Sequence, residues 1–144
     1  MACMKLMREW QACFFLLAIC GFFSVPGRAQ HMNAADAPCR SAGSGAGIAQ
    51  CFYDAFKKAD GDLNRVYSEI RKVLAVEESE KLRATQRLWV QFRDSNCVAE
   101  KDLYAGGSAA PMAYAACMEA DTRQRIAELK MMYGWRLIKF GSQP

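Results

Sequence analysis

Gln86, Trp89, Arg93 and Cys97 recur at steps of three and four, so they share one face of a helix, and that face carries charge where a core stripe is ordinarily apolar. Asn64, Tyr67, Arg87, Asp94, Thr122 and Arg125 stand on or beside the inward faces of the same pattern. Arg93 and Asp94, set near Thr122 and Arg125 of a later helix, have the chemistry of a partly buried ion network. Its members must satisfy one another, because an unpaired buried charge costs several kcal/mol. Two readings stand together: a network that fixes helix register, and a site for a ligand or a protein partner.

Other chemistry is excluded or weak. The one histidine, His31, lies in a segment rich in Ala, Gly and Ser that reads as loose, so it is not held against a Ser or Cys nucleophile. No HExxH, GxSxG or phosphate-loop pattern occurs. Gly43-Ser44-Gly45-Ala46-Gly47 lacks the Lys-Ser/Thr ending and a preceding strand, and reads as a linker. Asp60-Gly61-Asp62-Leu63-Asn64 opens like a calcium loop, but Arg65 and Arg71 replace the required Gly and bidentate Glu. Glu69, Glu77, Glu78, Glu80, Glu100 and Glu128 mostly sit beside Lys or Arg and read as solvated helix faces, not a glycosidase pair. No catalytic residue, metal or cofactor is expected.

The start of the chain sets the compartment. Lys5 and Arg8 precede an uncharged apolar run from Trp10 to Phe23, roughly fourteen residues, and small residues lead to a cleavage site after Ala29. That is a signal-peptide layout, and the run is shorter than the ~20 residues of a membrane span. An uncleaved anchor is the alternative. Leu17-Ala18-Ile19-Cys20 faintly resembles a lipoprotein site, with an unsuitably bulky Ile before the Cys. Loss of residues 1–29 from 144 leaves 115, enough for one domain. The 19 basic and 15 acidic residues of the whole become 16 and 14 without Lys5, Arg8, Arg28 and Glu9, a net +2. So balanced a domain does not point to nucleic acid, and nothing later in the chain reads as membrane-spanning. A periplasmic or secreted protein is expected.

Cys39, Cys51, Cys97 and Cys117 remain after the leader, an even set without CxxC spacing or a histidine cluster, which favours disulfides over zinc. Residues 30–47 read as a flexible N-terminus tied down at Cys39. One apolar stripe then runs from Ile48 through Phe52, Ala59, Leu63, Val66 and Ile70 to Leu74, with a kink or break expected at Gly61. A second helix begins near Glu77–Glu80, with Leu82, Thr85, Trp89, Phe92, Asn96 and Leu103 inward, and stops at Gly106-Gly107. A third spans about Ala110 to Met132, with Tyr114, Cys117, Ile126, Leu129 and Met132 as contacts. Residues 48–134 make the domain, and residues 135–144 an apolar tail. The fold class is all-α: an antiparallel helical hairpin plus one helix, stapled by two disulfides. Cys97 and Cys117 lie about ten residues either side of Gly107, so antiparallel helices bring them level. With Cys39 close before Cys51, the expected pairs are Cys39–Cys51 and Cys97–Cys117, each worth about 3 kcal/mol. Cys51–Cys97 is the competing pair.

Taken in order, Cys39, Cys51, Asp60 with Leu63-Asn64 and Tyr67, Gln86-Arg87 with Trp89, and Arg93-Asp94 with Cys97 form a spaced signature. It continues through Gly106-Gly107-Ser108, Cys117, and Thr122 with Arg125 and Leu129. This signature resembles the LprI-type lysozyme-inhibitor family over about residues 39–130. The resemblance implies a non-enzymatic protein that binds a protein partner, lysozyme being the one the family name supplies. A basic or hydroxyl group on a rigid turn, Ser108 or Lys101, is the expected means of engaging a lysozyme's catalytic carboxylates. A +2 domain gains no long-range attraction to a basic lysozyme, although a local acidic patch can still dock. The alternative is an envelope structural or interaction module with no lysozyme activity.

Overall fold

A computed structural model describes residues 31–141. The leader read over residues 1–29, with Cys20, and the last three residues of the tail lie outside the described residues. Three long helices, α1 (Gly45–Lys72), α2 (Val76–Asp102) and α3 (Ala110–Phe140), follow a short 3-10 turn at His31–Asn33. Among the described residues there is no strand. The architecture is the all-α bundle expected, with both expected disulfides, Cys39–Cys51 and Cys97–Cys117.

Local chemistry sets the helix ends. Ser44 caps α1, its Oγ accepting from the Gly47 N–H at 3.4 Å. Arg71 and Lys72 close α1 and Glu77 and Glu78 open α2, each suiting the local end of the helix dipole. Glu78 also accepts from the Ala75 N–H at 3.0 Å, satisfying a donor at the start of α2. Gly106, at φ 80, turns the chain between α2 and α3 in a conformation that disfavours a side chain. Pro111 then sits in the first turn of α3, where its missing N–H is harmless.

Packing fixes the topology. Phe52 of early α1 meets Ala115 and Ala116 of early α3, while Val66 and Ile70 of late α1 share a core with Leu129. α1 and α3 therefore run parallel. α2 runs against both, as its Cys97–Cys117 bond and its Arg136–Glu78 ion pair at 2.8 Å require. α3 is the spine: it packs closely along α1 and less closely along α2, while α1 and α2 stand further apart. Between those two, side chains of both helices line a groove.

Four expectations are corrected. α1 continues as helix through Gly61. The neighbouring residues bridge its weak point: Asp62 pairs with Lys58 at 3.0 Å and Arg65 at 2.7 Å, and Asn64 donates to Asp60 at 3.1 Å. The segment read as loose, residues 31–44, lies on the bundle with Ala37 and Cys39 buried, and Asp36 pairs with Arg123 at 2.8 Å. On α2, Phe92 is exposed and Thr85 is at the surface, as is Leu103 just past the helix end; the buried residues are Ser79, Leu82, Arg93 and Cys97. The inward stripe is thus the polar one. Finally, α3 extends to Phe140, and its inward residues near the end are Tyr133 and Leu137, leaving Met132 half exposed.

Candidate functional site

Arg93 sits between the core shared by Leu63, Val66, Ile70, Leu82 and Leu129 and the core around the Cys97–Cys117 bond. Arg93 as a residue is 7% exposed, and each of its three guanidinium nitrogens makes a hydrogen bond. Nε and Nη2 donate to Asp94 Oδ1 at 3.0 and 2.9 Å, and Nη1 donates to the fully buried Thr122 Oγ1 at 3.2 Å. Asp60 of α1 lies 3.6 Å from Nη1. The Arg93 guanidinium carbon lies over two rings, 5.1 Å from the centroid of Trp89 and 5.5 Å from that of Phe56. Arginine suits this place because its planar fork bonds and stacks at once, which an ammonium cannot do.

Arg125 also lies over the Trp89 ring, at 5.7 Å, and donates to Gln86 Oε1 at 3.1 Å and to Glu128 at 3.2 Å. Gln86, Trp89, Arg93, Asp94, Thr122 and Arg125 are thus drawn into one polar seam joining α2 to α3. Asn64 and Tyr67 face that seam from α1, across the groove. Ser108 is not part of it. It lies exposed in the turn at the end of the bundle, beyond the Cys97–Cys117 bond.

The groove between α1 and α2 has a volume of about 450 Å³. Asp60, Leu63, Asn64 and Tyr67 form one wall, and Arg83, Gln86, Arg87, Val90, Gln91 and Arg93 the other. Arg83, Val90 and Gln91 escaped the sequence reading because they sit beside the inward stripe, not on it. Their signal was the spacing Arg83, Arg87, Gln91, one turn apart on a single face.

Near the turn end, His31 is held after all. Its backbone N–H donates to Glu100 at 3.1 Å, its Nδ1 bonds the same carboxylate at 2.5 Å, and Nε2 lies 3.7 Å from Asp121. Two groupings there bring possible metal-binding atoms together: His31 with Glu100 and Cys117, and Cys97 and Cys117 with Asp121. Each depends on a sulfur that is bound in the Cys97–Cys117 disulfide and so offers no thiolate. This corner is a clamp for the arm.

Fold and site together define a small disulfide-stapled helical protein whose polar groups order helices and line a groove. The lysozyme inhibitor LprI family model matches residues 35–129, and the chain belongs to that family. An uncharacterized protein of Rhizobium meliloti (strain 1021) is 31% identical over 107 residues, covering 64% of this chain and 76% of that protein. No solved structure matches the chain. No helix among the described residues is long and apolar enough to cross a membrane.

Proposed function

We propose that this protein acts outside the cytoplasm as an inhibitor that binds lysozyme-type enzymes and blocks their substrate cleft. The observation that carries the reading is the match to the lysozyme inhibitor LprI model over most of the helical domain. Two disulfides suit an oxidising compartment, and export through the leader read over residues 1–29 belongs to the same proposal.

The docking element in this reading is the end of the bundle around the α2–α3 turn. Ser108 is exposed there, and Lys101, in the last turn of α2, has no ion-pair partner among the described residues. The Cys97–Cys117 bond ties the helices just behind the turn, which limits the entropy lost on binding. A cationic group on a firm projection has the chemistry to meet a pair of catalytic carboxylates.

Calorimetric titration of the purified oxidised protein into lysozyme tests this. One-to-one binding is expected, weakened roughly tenfold or more by Lys101→Glu, since a like charge is placed against the carboxylates. Heats no larger than dilution at micromolar protein would sink the proposal. The second reading, an envelope interaction module, draws on the polar seam being internally satisfied, which is what a purely structural network requires.

A further inference from the structure

We infer that the groove between α1 and α2 docks an acidic segment of a partner polypeptide, with an Asp or Glu beside an apolar residue. This goes beyond the lysozyme reading and stands whether or not the partner is a lysozyme.

Charge complementarity carries it. The walls hold three arginines, Arg83, Arg87 and Arg93, against one aspartate, Asp60. Arg93 is already matched by Asp94 and Asp60, and Arg83 pairs with Glu80 at 3.0 Å. Arg87 is different: it is exposed, and no ion pair or hydrogen bond engages its side chain among the described residues. One turn along the same wall, the Gln91 amide is similarly uncommitted, so a guanidinium fork and an amide donor stand side by side over the groove. A carboxylate is the group that accepts from such a fork at two points. Across the groove, the half-buried Tyr67 presents a ring, and Arg71 lies over that ring at 5.6 Å, adding positive charge behind it. The floor supplies the apolar half of the recognition, with Leu63 on one side and Val90 on the other. A volume of about 450 Å³ falls within the range of ligand-binding clefts. The groove's walls are tied together, since Asn64 donates to Asp60, Asp60 lies 3.6 Å from Arg93, and Arg93 donates to the buried Thr122.

The test is an NMR titration of the ¹⁵N-labelled oxidised protein with three capped peptides of alternating sequence: Leu-Glu, Leu-Gln and Leu-Lys. The Leu-Glu peptide is expected to shift amides over residues 60–67 and 83–91. Its affinity should fall roughly fivefold or more in Arg87→Gln, and fall again when salt screens the pair. The Leu-Gln and Leu-Lys peptides should leave those amides in place. Arg87 is exposed and engages no partner among the described residues, so its variant remains folded, and the same spectrum verifies that. The inference is overturned by an absence of shifts at millimolar Leu-Glu peptide, by shifts centred elsewhere, by equal binding of Leu-Gln, or by groove binding of a neutral chito-oligosaccharide in preference to the acidic peptide. A failed lysozyme titration leaves this result untouched, so the two claims fail separately.

Discussion

Arg93 shows how one buried side chain can tie three helices together. It closes the seam between α2 and α3 through Thr122, reaches α1 through Asp60, and stacks against Phe56 and Trp89. Arg93→Ala is expected to destabilise the protein by about 2–3 kcal/mol, below the range for a fully buried pair because Asp60 and Asp94 are about half exposed. Arg93→Lys should lose much of that as well, since an ammonium cannot bond Asp94 and Thr122 while stacking. Urea unfolding of the oxidised protein measures both, and an unchanged midpoint in Arg93→Ala would refute the role. The sequence made the Arg93, Asp94 and Thr122 grouping legible through steps of three and four. Asp60 as a partner was not legible, because periodicity sets the angle of a residue on its own helix and not the rotation of one helix against another.

Helix α1 passes through Gly61 with a cluster of paired charges beside it. The Asp62 carboxyl is held below its ordinary value of 3.8, first by the hydrogen bond from Arg65 and then by Lys58. A carboxyl that binds its proton less readily when folded adds stability above its unfolded pKa, and that contribution fades as pH falls through the folded value. Asp62→Asn should therefore lower the melting temperature at neutral pH and leave it unchanged well below pH 3.8, followed by circular dichroism. A deficit that persists in acid would assign the helix to another cause. Helix α2 shows the opposite limit of sequence reading. A heptad step puts Phe92 and Leu103 inside, yet both are exposed because the buried line runs through Ser79, Leu82, Arg93 and Cys97. A hydrophobicity template penalises Arg and Ser at core positions, so it rotates the helix towards its apolar but solvent-facing side.

Across the whole molecule, the cysteines were the most legible feature and the N-terminal arm the least. Spacing about Gly107 was enough to level Cys97 with Cys117, since antiparallel helices leave little freedom there. The arm is Ala-, Gly- and Ser-rich, with no period to read. What holds it is long-range: the Cys39–Cys51 bond, Asp36 on Arg123, and His31 on Glu100. Each disulfide is worth about 3 kcal/mol to a protein whose core is divided into three small clusters. The result is a disulfide-stapled bundle with an exposed turn at one end and an arginine-lined groove along one side. Both are features of a protein that works by contact, and they agree with its family. The proposed effect of that contact is to stop a lysozyme. Clearing of a bacterial cell-wall suspension by lysozyme, followed by turbidity with increasing oxidised protein, measures it directly. Clearing that slows in proportion to added protein and stops near equimolar ratio is the expected result. Clearing at an unchanged rate with micromolar protein present would contradict the claim and leave an envelope interaction module in its place.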